Sequence, residues 1–424
     1  MLKRYTLLCF LAVSCHCFAN QILIPMDDTQ SNHLKAYGIA YNTLKSDVDV
    51  EWLLNYKGGS FMIEYSTKLE KECRLRAVSY LVISDANAQS IRQEIGSQNV
   101  NMDVVKLHQA AKIVVYSPIK ISKSSFEDTD AVLLVLNYAE IPFTVVYDEE
   151  ILKGDLDKFD WLHLHHEDFT GQFGRNLRRM SPEDVKAQEK IASKYGYDKV
   201  SKMKLQVAKT IKGFCAGGGY LFAMCSGAET FDIALSAEGV DIVDSRFDGD
   251  GVDDGAQQKL DFNKTLAFQN YKLNQSEGRG GGRGGFGGMS FSDINAANGR
   301  GWDDETDSYF ALFDFSAKWD VIPSMLTQNH VALIREFMGQ TSAFNKNTVK
   351  PNVLVLGQSK SSDRYIYGEI GRGQWVFYGG HDPEGQQGFH RMPTDLNLHP
   401  HSPGYRLILN NVLFPSAKKK KRKT

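Results

Sequence analysis

The chain has 424 residues, 42% of them hydrophobic, and a formal net charge of −2. That describes a globular protein with enough apolar mass for a large core, and the length points to two domains. The balanced charge argues against nucleic acid as the main partner.

Residues 1–19 open with Lys3 and Arg4, continue as an apolar run over 5–13, and end in small residues before Asn20. This is the pattern of a secretory signal peptide cleaved after Ala19. The alternative is a surface lipoprotein acylated at Cys15, which follows Ala12, Val13 and Ser14. No later segment approaches the ~18 apolar residues of a membrane span, so the expected location is secreted or periplasmic. Of six cysteines, Cys9, Cys15 and Cys17 leave with the signal. Cys73, Cys215 and Cys225 then face an oxidising compartment, and an odd count leaves at least one thiol free. A Cys73–Cys215 pair would spare Cys225, whereas a Cys215–Cys225 pair would occupy it.

The mature chain begins with a short strand over 22–25 and a loop carrying Asp27 and Asp28. A helix over 33–44 follows, with Leu34, Tyr37, Ala40, Tyr41 and Leu44 on one face, then a strand over 50–55. A polar helical stretch covers 86–100. At 112–116 the pattern restarts with a strand, a helix over 129–140, and strands over 143–147 and 161–164. Two such openings suggest a separate α/β segment at 20–105, packed against a larger domain at 106–415. The strand through Trp161 runs into His163, His165, His166, Glu167 and Asp168, at the kind of strand end where parallel sheets collect ligands. Adjacent residues on a strand point to opposite faces, so a metal held by that run alone is not expected, and no cofactor is implied.

Ser181 and Pro182, with Glu183 and Asp184 behind them, start a helix, and another over 204–214 leads to three glycines at 217–219. Residues 220–224 are a short apolar strand, and Cys225 sits on the turn after it between small neighbours, Ala223 and Gly227. A strand-to-helix elbow needs such neighbours, and the N-terminus of the helix that follows favours a thiolate. The acidic run from Asp248 departs from a calcium loop at Val252, Asp253 and Lys259 and reads as an acidic turn. Residues 277–288, rich in Gly and Arg, read as a flexible insertion. After a mixed aromatic and acidic stretch over 309–319, strands over 353–356 and 374–377 follow. The second runs into Gly379, Gly380, His381, Asp382, Pro383 and Glu384. Residues 416–424 form a basic tail, read as a solvated end or a contact for an anionic surface.

The elbow cysteine followed much later by a Gly-His-Pro-Glu type segment resembles the class I glutamine amidotransferase-like superfamily, which includes ThuA-like proteins. The resemblance implies a mainly parallel, flavodoxin-like α/β sheet flanked by helices, with Cys225 as nucleophile, His381 as base and Glu384 as orienting acid. Ser226, Gly227, His165, His166 and Glu167 would then bind substrate. Two departures stand in the sequence: Asp382 is inserted after the histidine, and the Pro-Gly-Gly element that helps form the family's oxyanion hole is absent, leaving Gly171 or another backbone donor for that task. The chain is also similar to secreted bacterial proteins labelled asparagine synthetase B, without the N-terminal cysteine or the Ser-Gly-Gly loop of true synthetases. The expected activity is hydrolysis of a carbon–nitrogen bond in a small-molecule amide or a peptide. The alternative is a non-catalytic binding module, with a glycan as its ligand.

Overall fold

The computed structural model of the chain describes residues 20–117, 130–164, 167–172, 181–274, 291–296, 309–320, 333–335, 341–384 and 393–417. The signal segment, the Gly-rich stretch, the tail beyond residue 417, His165 and His166 lie outside these residues.

The first sheet is built from β1 (Asn20–Ile24), β2 (Val50–Leu54), β3 (Ser60–Glu64), β4 (Leu81–Ser84) and β5 (Asp103–Leu107). Its order is β4-β1-β3-β2-β5, and every pairing is antiparallel. Three helices accompany it: α1 (His33–Lys45), α2 (Thr67–Leu75) and α3 (Asp85–Gly96). The side chain of Asn32 caps α1 by accepting from the Lys35 amide at 2.9 Å, which satisfies one of the orphan donors of the first turn. The stripe Leu34, Tyr37, Ala40, Tyr41 and Leu44 is buried as its spacing predicts, and each fully buried leucine contributes about 1.5–3 kcal/mol.

The second sheet takes β6 (Ile113–Tyr116), β7 (Thr144–Val146), β8 (Trp161–Leu164), β9 (Tyr220–Met224), β10 (Tyr309–Leu312), β11 (Leu333–Arg335), β12 (Phe344–Asn345), β13 (Leu354–Gln358), β14 (Ser362–Ile370) and β15 (Gly373–Tyr378). Between these strands run α4 (Ala131–Tyr138), α5 (Asp148–Leu152), α6 (Pro182–Lys194), α7 (Val200–Gly217), α8 (Cys225–Ser236), α9 (Ser245–Asp248) and α10 (Ala256–Lys259), and α11 (Pro403–Leu413) closes the chain. The order is β11-β10-β13-β14-β15-β9-β8-β6-β7, with β12 on β14.

This corrects the expectation of a mainly parallel, flavodoxin-like sheet. Only the run β15-β9-β8-β6-β7 is parallel, while the other half of this sheet and all of the first are antiparallel. For β13, β14 and β15 the cause is connection length, because a parallel neighbour needs a crossover of a dozen or more residues and a tight turn can only return antiparallel. Gly371 and Arg372 alone separate β14 from β15, and Gly371 takes the positive φ of such a turn, 59°.

The layers follow from the alternation of side chains along the strands. One face of the first sheet (Ile22, Trp52, Phe61) and one face of the second (Trp161, Phe222, Tyr378) share a core with α1, α4 and α11 between them. The opposite face of the second sheet (Leu162, Leu221, Phe377) packs on α7 and α8, and that of the first (Leu23, Leu53, Met62) on Ala88 and Ile95 of α3. No helix among the described residues is long and apolar enough to cross a membrane.

Candidate functional site

The five residues of β9 are all buried, and the chain turns directly from Met224 into α8. Cys225 makes that turn with φ 52°. A left-handed conformation costs a residue with a side chain about 1–3 kcal/mol and persists only where the surroundings enforce it. Cys225 is fully buried and belongs to the core face shared with α1, α4 and α11. Met224 stands at the N-cap and makes no side-chain cap, so the first-turn amides and the positive end of the α8 dipole begin at the elbow itself. Ser226 and Gly227 fall in that turn, both buried. The Ser226 Oγ has no hydrogen-bond partner among the described residues.

β15 lies parallel to β9 in a register that sets Tyr378 opposite Met224. The elbow and the segment after Tyr378 therefore leave neighbouring strands at the same end, with the strands about 4.8 Å apart. The Gly379 amide donates to the Arg364 carbonyl at 2.7 Å and the Gly380 amide to the Thr341 carbonyl at 3.1 Å. A Cβ on Gly379 would stand 2.4 Å from the Ser342 oxygen, and Gly380 has φ 96°. Neither position accepts a side chain without strain. His381 follows, half-buried.

The two carboxylates beyond His381 tie its segment to α11. Asp382 accepts from the Tyr405 hydroxyl at 2.9 Å, the Thr394 hydroxyl at 2.5 Å and the Glu384 amide at 2.9 Å. Glu384 accepts from Ser402, the cap of α11, at 2.6 Å, and its second oxygen lies 3.5 Å from His399 Nδ1 and 4.0 Å from Arg335. Burial, and after it the Asp382 charge, pushes the Tyr405 hydroxyl well above its ordinary range.

Of the run after β8, Glu167 and Asp168 are described. The Thr230 hydroxyl of α8 donates to the Glu167 carbonyl at 2.6 Å, which fixes this loop to the elbow helix. Burial pushes the Asp168 carboxyl up against the pull of the Thr170 hydroxyl and amide, which donate to it. Gly171 has φ 76°, and a Cβ there would meet Ser201 at 2.9 Å, so this glycine serves the packing of the loop on α7.

Sequence reasoning missed one buried pair near the elbow. His163 Nε2 lies 3.1 Å from an Asp130 oxygen, while Nδ1 donates to the Phe222 carbonyl at 3.2 Å. Asp130 also caps α4, accepting from the Val132 and Leu133 amides. The signal was an aspartate directly before an apolar helical run. A second missed group is Glu229, one turn beyond Cys225 and fully buried.

Among the described residues no disulfide joins Cys73, Cys215 and Cys225, all of them buried, so neither anticipated pairing forms. Burial pushes the thiols of Cys73 and Cys215 up to about 12. The acidic run acquires a structural explanation, because the Lys199 ammonium sits among Asp241 at 2.5 Å, Asp248 at 3.1 Å and Asp250. These carboxylates could in principle gather round a metal, but the lysine occupies their centre. Burial lowers the Lys199 pKa, and the three carboxylates overcome that and raise it.

No family model matches this chain, and no curated protein matches it. Among solved structures, one cytoplasmic protein from Salmonella typhimurium is similar at 9% identity and a TM-score of 0.33, over 73% of this chain and 100% of that one. A second from Salmonella typhimurium LT2 has 11% identity and a TM-score of 0.33, over 72% and 100%. A β-galactosidase from Bacillus circulans sp. alkalophilus has 12% identity and a TM-score of 0.27, over 70% of this chain and 32% of that one. Likenesses this weak carry no argument about fold or chemistry.

Proposed function

We propose that this protein is a cysteine-dependent hydrolase that cleaves a carbon–nitrogen bond, in an amide or a peptide, through an acyl-enzyme on Cys225. The observation that carries this reading is the left-handed turn at Cys225, which sets the thiol between the end of β9 and the start of α8. The Gly-Gly-His segment leaves the next parallel strand at the same end. In the proposed reaction His381 takes the thiol proton, the sulfur attacks the carbonyl carbon, and the proton passes to the departing amine as the C–N bond breaks. Water then cleaves the thioester and releases the acid. The uncapped amides of the first α8 turn suit a developing oxyanion. Asp382 and Glu384 hold the histidine segment to α11 and its cap through Tyr405 and Ser402. The local resemblance to the class I glutamine amidotransferase-like superfamily supports the same roles for Cys225 and His381, while Glu384 is engaged by Ser402 and faces His399 and Arg335. The signal-like residues 1–19 support action outside the cytoplasm.

The full burial of Cys225 favours a second reading, a module that binds a peptide or glycan and keeps the elbow without the chemistry. A screen of the mature protein against glutamine, simple amides and short peptides separates the two, with ammonia or amine release as readout. The hydrolase reading expects turnover that Cys225→Ala and His381→Ala each remove, with little further loss in the double variant, because such groups act as a unit. Turnover that survives in Cys225→Ala would sink it, and saturable glycan binding without any turnover would establish the second reading.

A further inference from the structure

We propose that Glu229 is a positioning residue that holds the loop bearing His381 against the elbow helix; the proposal rests on the reading of Cys225 and His381 as nucleophile and base. A carboxylate with no solvent exposure on a helix is costly unless donors surround it, and here the donors come from two distant segments. One oxygen accepts from the Ser292 hydroxyl at 2.7 Å and the other from the Thr341 hydroxyl at 2.9 Å. Thr341 is itself fully buried with φ 49°, an unusual conformation for a β-branched residue. Its carbonyl accepts the Gly380 amide, one residue before His381. Two hydrogen bonds thus connect the helix that begins at Cys225 to the residue preceding the histidine.

This path joins three positions held at positive φ, Cys225, Thr341 and Gly380. Strained backbone is kept where neighbouring structure over-determines it, and a buried carboxylate bridging two hydroxyls is such a constraint. The neighbouring Ser342 carbonyl is fixed in turn by Arg364, which donates to it at 2.7 Å. Release of Thr341 from Glu229 frees the Gly380 turn and lets the imidazole drift from the sulfur.

The test is the pH profile of Cys225 alkylation by iodoacetamide, followed by peptide mapping, between about pH 5 and 9, a window that spans the ordinary range of histidine, with thermal midpoints measured alongside. The variants are Glu229→Gln, Thr341→Val, which removes the hydroxyl at constant shape, and Thr341→Ser, which keeps it. His381→Ala gives the reference profile. Glu229→Gln and Thr341→Val are expected to slow alkylation near neutral pH about tenfold and to move the profile toward that of His381→Ala, as a small misplacement of a reacting group does. Thr341→Ser retains the native profile. A lowered midpoint with an unchanged profile in Thr341→Val overturns the proposal and leaves the Cys225–His381 reading standing. A His381→Ala profile identical to the native one overturns that reading, and the proposal with it.

Discussion

His33 begins α1 and is 5% exposed. Its ordinary pKa of 6.5 is pushed down to about 3, first by burial, then by the Arg406 guanidinium, with His401 adding to the effect. The Asp27 carbonyl, which accepts from Nε2 at 3.0 Å, and the Asp27 charge oppose the shift without reversing it. Nδ1 has no partner among the described residues, so a second proton there would be buried without an acceptor. The sign follows from linkage. Below pH 6.5 the unfolded chain takes up a proton that the folded chain refuses, so stability is lost as the pH falls from 6.5 toward 3. At about 1.36 kcal/mol per unit, the loss from this residue is about 2.5 kcal/mol at pH 4.5, with a ceiling of about 4–5 kcal/mol. Urea unfolding of the native protein and of His33→Gln at pH 7.5 and 4.5 isolates this contribution, since the other groups titrate in both proteins. The native chain is expected to lose about 2.5 kcal/mol more than the variant over that interval. Equal losses would show that His33 takes its proton in the fold, and the burial argument would then be wrong.

Two further outcomes follow from the buried groups. Iodoacetamide at neutral pH followed by peptide mapping is expected to modify Cys225 before Cys73 or Cys215, whose thiols are held protonated up to about 12; earlier labelling of either one refutes the activation of Cys225. Asp232 accepts from the Leu266, Ala267 and Phe268 amides at 2.7, 2.7 and 2.9 Å in a fully buried site. Asp232→Asn turns an acceptor into a donor facing buried amides and is expected to cost about 2–4 kcal/mol in denaturant unfolding. A loss under about 0.5 kcal/mol, the scale of an ordinary surface change, would contradict that role.

The parts legible in the sequence are those whose signal is local. β8 and β9 form over the residues expected because each is a short apolar run between turn residues, and Ser181 caps α6 by accepting from the Asp184 amide. The elbow was visible because Cys225 follows a buried strand and precedes small residues. Strand direction was not legible, since it depends on which strands a turn joins; β14 escaped notice altogether. That strand, Ser362–Ile370, mixes buried Asp363 and Arg364 with Tyr365 and Ile366, and its polar positions break the apolar run that would have announced it. The destinations of Asp382 and Glu384 were equally hidden, because nothing in the local sequence shows that α11 and its cap fold back to offer the Tyr405 and Ser402 hydroxyls. Glu229 lies one turn into α8 with no local signal to mark it, and its partners Ser292 and Thr341 are separated from it by more than sixty residues.

The central claim is that Cys225 carries the acyl group. Acid quench of a turnover mixture with any active amide, followed by intact-mass measurement and peptide mapping, observes that group directly. The account expects a mass increment equal to the acyl portion of the substrate on the peptide containing Cys225, lost in Cys225→Ala and accumulating less in His381→Ala. Turnover with no adduct at Cys225, continuing undiminished in Cys225→Ala, would contradict it.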